Sequence, residues 1–375
     1  MKITDVEVTS HKHDVKDPLV GDTKKNSKVY IKIETDEGII GKCITSGSVG
    51  DRDYIKNKLA PLIMGEDPLD SEGIWTTIFS GLKTHWVTGA FQNRGVGIVD
   101  CALWDIKGKY LNQPVWRLLG GAKKKIPIYL SIAGGPPFYE STSEQFAEYA
   151  TKYKKDGWTG FKLALGRGWR WSASRTGDYT RSEDDIVDKV RAVREAVGDK
   201  IKLMVDANTE LSLIEAIRFA KRFEPYDLSW FEEPVYMNDP RSLALMKHHT
   251  SIPIAAGQHI GSKMSFRELL VTGNVDIVQP DVQNCAGFTE GVKIGHLAQA
   301  FNLPFTTHAL PLVNMHLIAG LSNGLTIEWH HTVWNDNEKV YKNNPQPENG
   351  WMTLPDGPGL GLTLNEKVLE ENLVP

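Results

Sequence analysis

Three oxygen-bearing side chains recur at one interval. Glu232 follows Asp206 by 26 residues, and Gln258 follows Glu232 by 26 more. Each closes a short apolar run: Lys202 to Asp206, Leu228 to Glu232, and Ile252 to Gln258. A run of this kind reads as a buried parallel strand whose last residue projects from its C-terminal end. With one βα unit between neighbours, adjacent strands would aim all three side chains into one pocket. Carboxylate and amide oxygens suit a hard divalent cation, Mg²⁺ above all. The interval by itself equally fits three unrelated polar residues at strand ends.

The elements that would position them repeat along the chain. Further apolar runs span Ile126 to Ile132, Gly160 to Leu165, Val275 to Asp281, Leu303 to His308 and Leu325 to Glu328. That makes eight, mostly separated by helix-length segments, and most end in a polar residue of catalytic type. Eight strand–helix units predict a (β/α)₈ barrel with its site at the C-terminal strand ends. The intervening helices carry start signals. Ser182 with Asp185 and Ser212 with Glu215 read as capping boxes, and Gly198 ends the first of these helices.

Ahead of the barrel the pattern differs. Val29, Ile31 and Ile33 alternate with polar residues as in a half-buried strand. The stretch Lys12 to Asn26 reads as a polar loop, either a solvated surface loop or a lid over a polar substrate. From Asp51 to about Leu111 the sequence is helical, with Val96, Val99, Leu103, Ile106 and Tyr110 on one face. The turn-rich Asp356 to Gly361 segment is expected to close the chain back over this first part. The expected division is an α+β N-terminal capping domain over 1–122, joined by the tail 345–375, and a barrel over 123–344.

Net charge is −4 over 375 residues with a pI near 6.3, which argues against a nucleic-acid or membrane surface. The three cysteines, Cys43, Cys101 and Cys285, show neither metal spacing nor a disulfide framework. Together with an N-terminus that opens directly into a strand pattern, this predicts a cytoplasmic protein.

The whole pattern resembles the enolase superfamily, and within it the mandelate racemase-like subgroup. The resemblance runs over nearly all of the chain, through Asp100 to Asp105, Leu118 to Gly121 and the strand-end motifs. It implies an α+β capping domain on a (β/α)₇β-type barrel, a homo-oligomer and a Mg²⁺ cofactor. The metal ligands it implies are Asp206, Glu232 and Gln258. A proton-transferring dyad falls on His308 and Asp281, Lys162 faces the substrate carboxylate, and Glu328 on the eighth strand faces the same group. A neutral Glu328 would donate a hydrogen bond to the oxyanion of an enediolate. Asn208, His259 and Thr45 are the expected polar contacts of a hydroxylated substrate, as is Arg170 in the long insert Arg167 to Arg181.

Two positions depart from that pattern. Ala164 stands where the subgroup has a second lysine, so one base remains. One-base chemistry predicts dehydration of a sugar acid to a 2-keto-3-deoxy acid. The alternatives are an epimerase or racemase, a lactone cycloisomerase, and a non-catalytic sugar-acid binder. Gln258 replaces a carboxylate by an amide, which removes one unit of ligand charge and predicts weaker metal binding.

Overall fold

The computed structural model describes residues 1–16, 23–81, 90–132, 141–164, 182–272, 275–330 and 339–375. Three antiparallel strands open the chain: β1 (Ile3–Lys16), β2 (Thr23–Thr35) and β3 (Ile40–Ser46). Val29, Ile31 and Ile33 of β2 are wholly buried, as their alternation predicts. The expected loop over Lys12–Asn26 is instead mostly strand, since Lys12 pairs with Ser27 and Lys16 with Thr23. Its inner face is His11, His13 and Val15, alternating with exposed Lys12, Asp14 and Lys16. Two histidines in core positions hide the period-two signal from a reading by polarity. Residues 17–22 of that stretch lie outside the described residues.

The helix Ala90–Tyr110 packs beneath this sheet through Val96, Val99, Leu103 and Ile106, all buried, while Tyr110 at its end is 47% exposed. After it come the barrel strands: β4 (Lys125–Ser131), β5 (Gly160–Ala164), β6 (Lys202–Asp206), β7 (Trp230–Glu232), β8 (Ile254–Ala256), β9 (Ile277–Val278), β10 (Phe305–Thr307) and β11 (Gly324–His330). Each pairs in parallel with the next, and β11 pairs with β4 to close the ring. Strand β12 (Trp351–Thr353) adds antiparallel to β4, and β13 (Leu373–Val374) adds to β1. The tail therefore touches both the barrel and the first sheet.

Side-chain alternation sorts the barrel. Phe161, Leu203, Val205, Phe231, Ile254 and Val278 face the helices and join the main core. Tyr129, Met204, Trp230, Ala255 and Ile277 fill the interior as a separate cluster. Helix starts anchor the outer layer. Ser212 and Glu215 form a reciprocal capping box, worth about 1 kcal/mol. Ser182 accepts from the Asp185 amide, but the Asp185 carboxylate turns to Lys189, so the second half of that box is not made.

The capping domain holds the segment after β9 in several places. Trp75 Nε1 donates to Ala286 O at 2.8 Å and Trp104 Nε1 to Thr289 Oγ1 at 2.9 Å. Gln283 Nε2 donates to Ser46 O at 2.6 Å. Asp100 accepts from the Thr289 amide and hydroxyl at the start of the helix Phe288–Ala300. Asp100 approaches Gly287 so closely that a Cβ there would lie 2.2 Å from its Oδ2, and φ at Gly287 is +100°. Only glycine fits such a contact. Asp281 stands at the head of this pinned segment.

Candidate active site

Period two places the next inward residue above Met204 at Asp206, and above Trp230 at Glu232. Those two residues are register partners on adjacent strands, and both are buried. On β5, Lys162 points to the same interior. Its Nζ lies 2.5 Å from Glu232 Oε1, 2.8 Å from Glu328 Oε1 and 3.4 Å from Asp206 Oδ2. Trp230 Nε1 donates to the other Glu232 oxygen at 2.9 Å.

One ammonium thus serves three buried carboxylates. Burial alone would lower the Lys162 pKa, but Glu232 and Glu328 outweigh it and hold it well above the ordinary lysine value. For Glu232 burial wins against Lys162 and pushes the carboxyl up to about 8. Burial also raises Asp206. Glu328 moves the other way. Burial opposes its ionisation, yet Lys162, then His308 and His330, carry it below the usual carboxylate range. The expected neutral Glu328 is therefore not found: an ammonium 2.8 Å away favours the anion. Its second oxygen accepts from the Ala309 amide at 2.9 Å.

His308 follows β10, and its Nδ1 lies 3.0 Å from Asp281 Oδ2. The ring is 28% exposed at the barrel mouth, whereas Asp281 is buried. Asp281 Oδ1 accepts from the Gln283 amide at 2.8 Å, which fixes the carboxylate. Burial would lower the imidazole pKa; the Asp281 hydrogen bond and the Glu328 charge overcome it and raise the value above 6.5. Ala309 and Leu310 then adopt φ of +45° and +37°. Asn314 holds this strained turn, donating to His308 O and Ala309 O and accepting from the Val282 amide. Its single amide therefore ties the strand ends that carry both dyad members. Nothing in the sequence pattern marked Asn314.

Gln258 lies beyond β8 and is 1% exposed. Its Nε2 donates to Glu233 Oε2 at 2.8 Å, and its Oε1 is buried with no hydrogen-bond partner among the described residues. Glu233 is the residue the strand-end reading passed over. It is wholly buried, has φ of +40°, and also receives His259 Nδ1 at 2.7 Å and Asn238 Nδ2 at 2.7 Å. Burial works against its charge, but His259 and the amides of Gln258 and Asn238 prevail and keep its pKa low.

Among the expected substrate contacts, His259 is half exposed and bound to Glu233. The Asn208 amide donates to Asp206 Oδ1 at 2.8 Å, with φ of +49° at Asn208. Thr45 is 1% exposed, and its hydroxyl donates to Ser46 O at 3.3 Å. Arg170 and the whole insert Arg167–Arg181 lie outside the described residues. Ala164 pairs in register with Asp206 and contributes only a methyl group.

The inner-face oxygens fit a hard cation. Asp206 and Glu232 supply two carboxylates on adjacent strands, and Gln258 Oε1 is a buried carbonyl oxygen without a hydrogen-bond partner among the described residues. No group of three or more His, Cys, Asp or Glu side chains among the described residues is itself arranged as a metal site. The third donor here is an amide.

Residues 3–120 match the family model for the mandelate racemase / muconate lactonizing enzyme N-terminal domain, and residues 145–368 match that of the enolase C-terminal domain-like family. The chain belongs to the mandelate racemase / muconate lactonizing enzyme family. Family relatives include an arabinonate dehydratase from Saccharolobus solfataricus, 32% identical with 92% of this chain and 90% of that protein covered. A D-galactarolactone cycloisomerase from Agrobacterium fabrum is 28% identical over all of both chains. A racemase from Streptomyces coelicolor, solved with bound magnesium, superposes with a TM-score of 0.86 at 26% identity, covering 99% of this chain and 100% of its own.

Proposed function

We propose that this protein is a Mg²⁺-dependent lyase that dehydrates a sugar acid to a 2-keto-3-deoxy acid. The observation that carries the reading is the His308–Asp281 pair beside a Lys162–Glu328 ion pair, with Ala164 and no second lysine at the end of β5. Among the described residues such a site has His308 as a base for an α-proton and Lys162 as a cation for the carboxylate beside it. Asp206, Glu232 and Gln258 would hold the metal. When bound, Mg²⁺ supplies Lewis-acid stabilisation of charge on the substrate carboxylate.

The chain's own groups do the rest. Lys162 binds a substrate carboxylate oxygen and is kept charged by its buried neighbours. Neutral His308 takes the α-proton at Nε2, because Nδ1 faces Asp281. Asp281 stabilises the imidazolium that results. Glu328 is an anion in this site, so it orients Lys162 and, through the Ala309 amide, the turn after His308. The imidazolium then returns its proton to a β-hydroxyl on the same face, which leaves as water. The dehydratase relative supports this reading. The same proton transfer suits lactone cycloisomerisation, and the cycloisomerase relative supports that as the second reading.

The cytoplasm is the proposed location; no described helix is long and apolar enough to cross a membrane. The expected homo-oligomer and the division into a capping domain (1–122 with 345–375) and a barrel (123–344) stand as part of the same proposal. A panel of sugar acids with Mg²⁺, followed by NMR in D₂O, tests the reaction. Dehydrated 2-keto-3-deoxy product is expected. An isomerised lactone without loss of water would install the second reading, and no α-proton exchange with any acid would sink both.

A further inference from the structure

An amide is a poor choice of metal ligand unless something decides which end faces the metal. Oxygen and nitrogen are nearly the same size, and the nitrogen presents two protons that a cation repels. In a carboxylate both ends coordinate, so the question never arises. Here it arises at Gln258, and the structure contains an answer.

Glu233 is a wholly buried carboxylate whose two oxygens are faced by three nitrogen donors and act as acceptors. Its Oε2 takes Gln258 Nε2 at 2.8 Å and His259 Nδ1 at 2.7 Å, and its Oε1 takes Asn238 Nδ2 at 2.7 Å. Flipping the Gln258 amide would set its oxygen against that carboxylate, two acceptors with no proton between them. The nitrogen is therefore locked toward Glu233, and Oε1 is left buried without a hydrogen-bond partner among the described residues. An unmade hydrogen bond at such an atom costs about 1–3 kcal/mol unless something else fills the position.

Glu233 itself is held in an uncommon conformation. Its φ is +40° although it precedes Pro234, a position that favours extended backbone. Backbone bonds to Ala255 O and from the Thr209 amide, both 2.9 Å, keep it there. Without this kink the period-two pattern would send Glu233 to the helix side, away from Gln258.

We infer that Glu233 is a positioning residue for the metal site: it fixes the Gln258 amide so that the oxygen, not the nitrogen, faces the cation beside Asp206 and Glu232. The inference rests on the Mg²⁺ reading above and adds to it a reason why an amide suffices at the third position. In this reading Glu233 acts on the metal site through Gln258. Its contribution is needed only while residue 258 has two unlike ends.

That condition supplies the test. Full-length protein stripped with EDTA is titrated with Mg²⁺ by calorimetry, for the native chain, Glu233→Gln, Gln258→Glu and the double variant. Glu233→Gln in the native background is expected to weaken Mg²⁺ by about tenfold or more. In the Gln258→Glu background the same change is expected to cost far less, because a carboxylate has no wrong end. Loss of one negative charge near the cation acts in both backgrounds. In the Gln258→Glu background the amide that Glu233→Gln introduces also donates to the carboxylate at 258 and relieves its contact with Glu233, which lowers the cost further. Equal costs, within the roughly twofold scatter of independent sites, would overturn the inference, as would a Glu233→Gln variant with native affinity. Gln258→Leu serves if Glu233→Gln fails to fold; native Mg²⁺ affinity in that variant would show that the amide oxygen is not used. Asp206→Asn separates the two layers of argument. If that variant binds Mg²⁺ as the native chain does, the metal reading itself has failed.

Discussion

The Lys162 ammonium lies 2.5 Å from a Glu232 carboxylate oxygen, and both side chains are buried in the barrel interior. Without a metal, this lysine is the counter-charge shown for the Asp206–Glu232 pair as well as for Glu328. Lys162→Met should therefore unfold more easily in EDTA, by about 3 kcal/mol, since it leaves buried charge without a partner. Mg²⁺ should restore more stability to this variant than to the native protein. Urea midpoints with and without Mg²⁺ measure both. An equal Mg²⁺ increment in the two proteins would show that lysine and metal do not share those carboxylates.

His308 must be neutral to accept a proton, and its pKa is raised above 6.5. Turnover should fall on the acid side as pH drops through that raised value. Asp281→Asn removes the largest cause of the rise, leaving burial to pull the pKa down. The acid limb should then move to lower pH, while kcat falls by up to about 10⁴-fold as the ring loses its tautomer partner. A pH profile of kcat decides it; an unmoved limb would assign the titration to another group.

Much of this was legible in the sequence because apolar runs ending in polar residues report strand ends directly. The 26-residue interval places Asp206 and Glu232 in register, and the structure pairs them. What stayed hidden depends on backbone kinks and on partners distant in sequence. Glu233 differs from Glu232 by one position, and period two would send it outward. Only φ of +40° turns it to Gln258. The charge state of Glu328 follows from Lys162, 166 residues earlier, a pairing that no local sequence pattern reports. His11 and His13 concealed a strand because core position and polarity disagreed.

His316 offers a stability prediction away from the chemistry. It is buried between the Trp116 amide, which donates to Nδ1, and Leu360 O, 3.2 Å from Nε2. Burial holds its pKa down at about 3, despite the pull of Leu360 O. The unfolded chain takes up this proton near 6.5, so between the two values it binds more protons than the folded one. Stability should be fully present above pH 6.5 and should decline toward pH 3, by on the order of 5 kcal/mol at most. His316→Gln should lose part of that slope while costing stability at pH 7. Unfolding midpoints from pH 7 to 4 provide the measurement, and an unchanged slope in the variant would place the acid sensitivity elsewhere.

The final prediction concerns Ala164, which pairs with Asp206 at the end of β5, two residues beyond Lys162. With a methyl group there, a proton removed by His308 returns only from the His308 side. Exchange with D₂O should therefore proceed without inversion, and product should arise only when a β-hydroxyl leaves on that face. A lysine side chain at this position would point the same way as Lys162 by period two and reach the opposite side of the substrate. The buried carboxylates of Asp206 and Glu232 can stabilise a second ammonium in this interior, as they do that of Lys162. Ala164→Lys is expected to add slow formation of the inverted epimer while dehydration persists at a reduced rate. NMR of the α-carbon in D₂O separates the two products. If the native chain, with its alanine, already accumulates the epimer, a second base is present elsewhere in the site, and the one-base account is wrong.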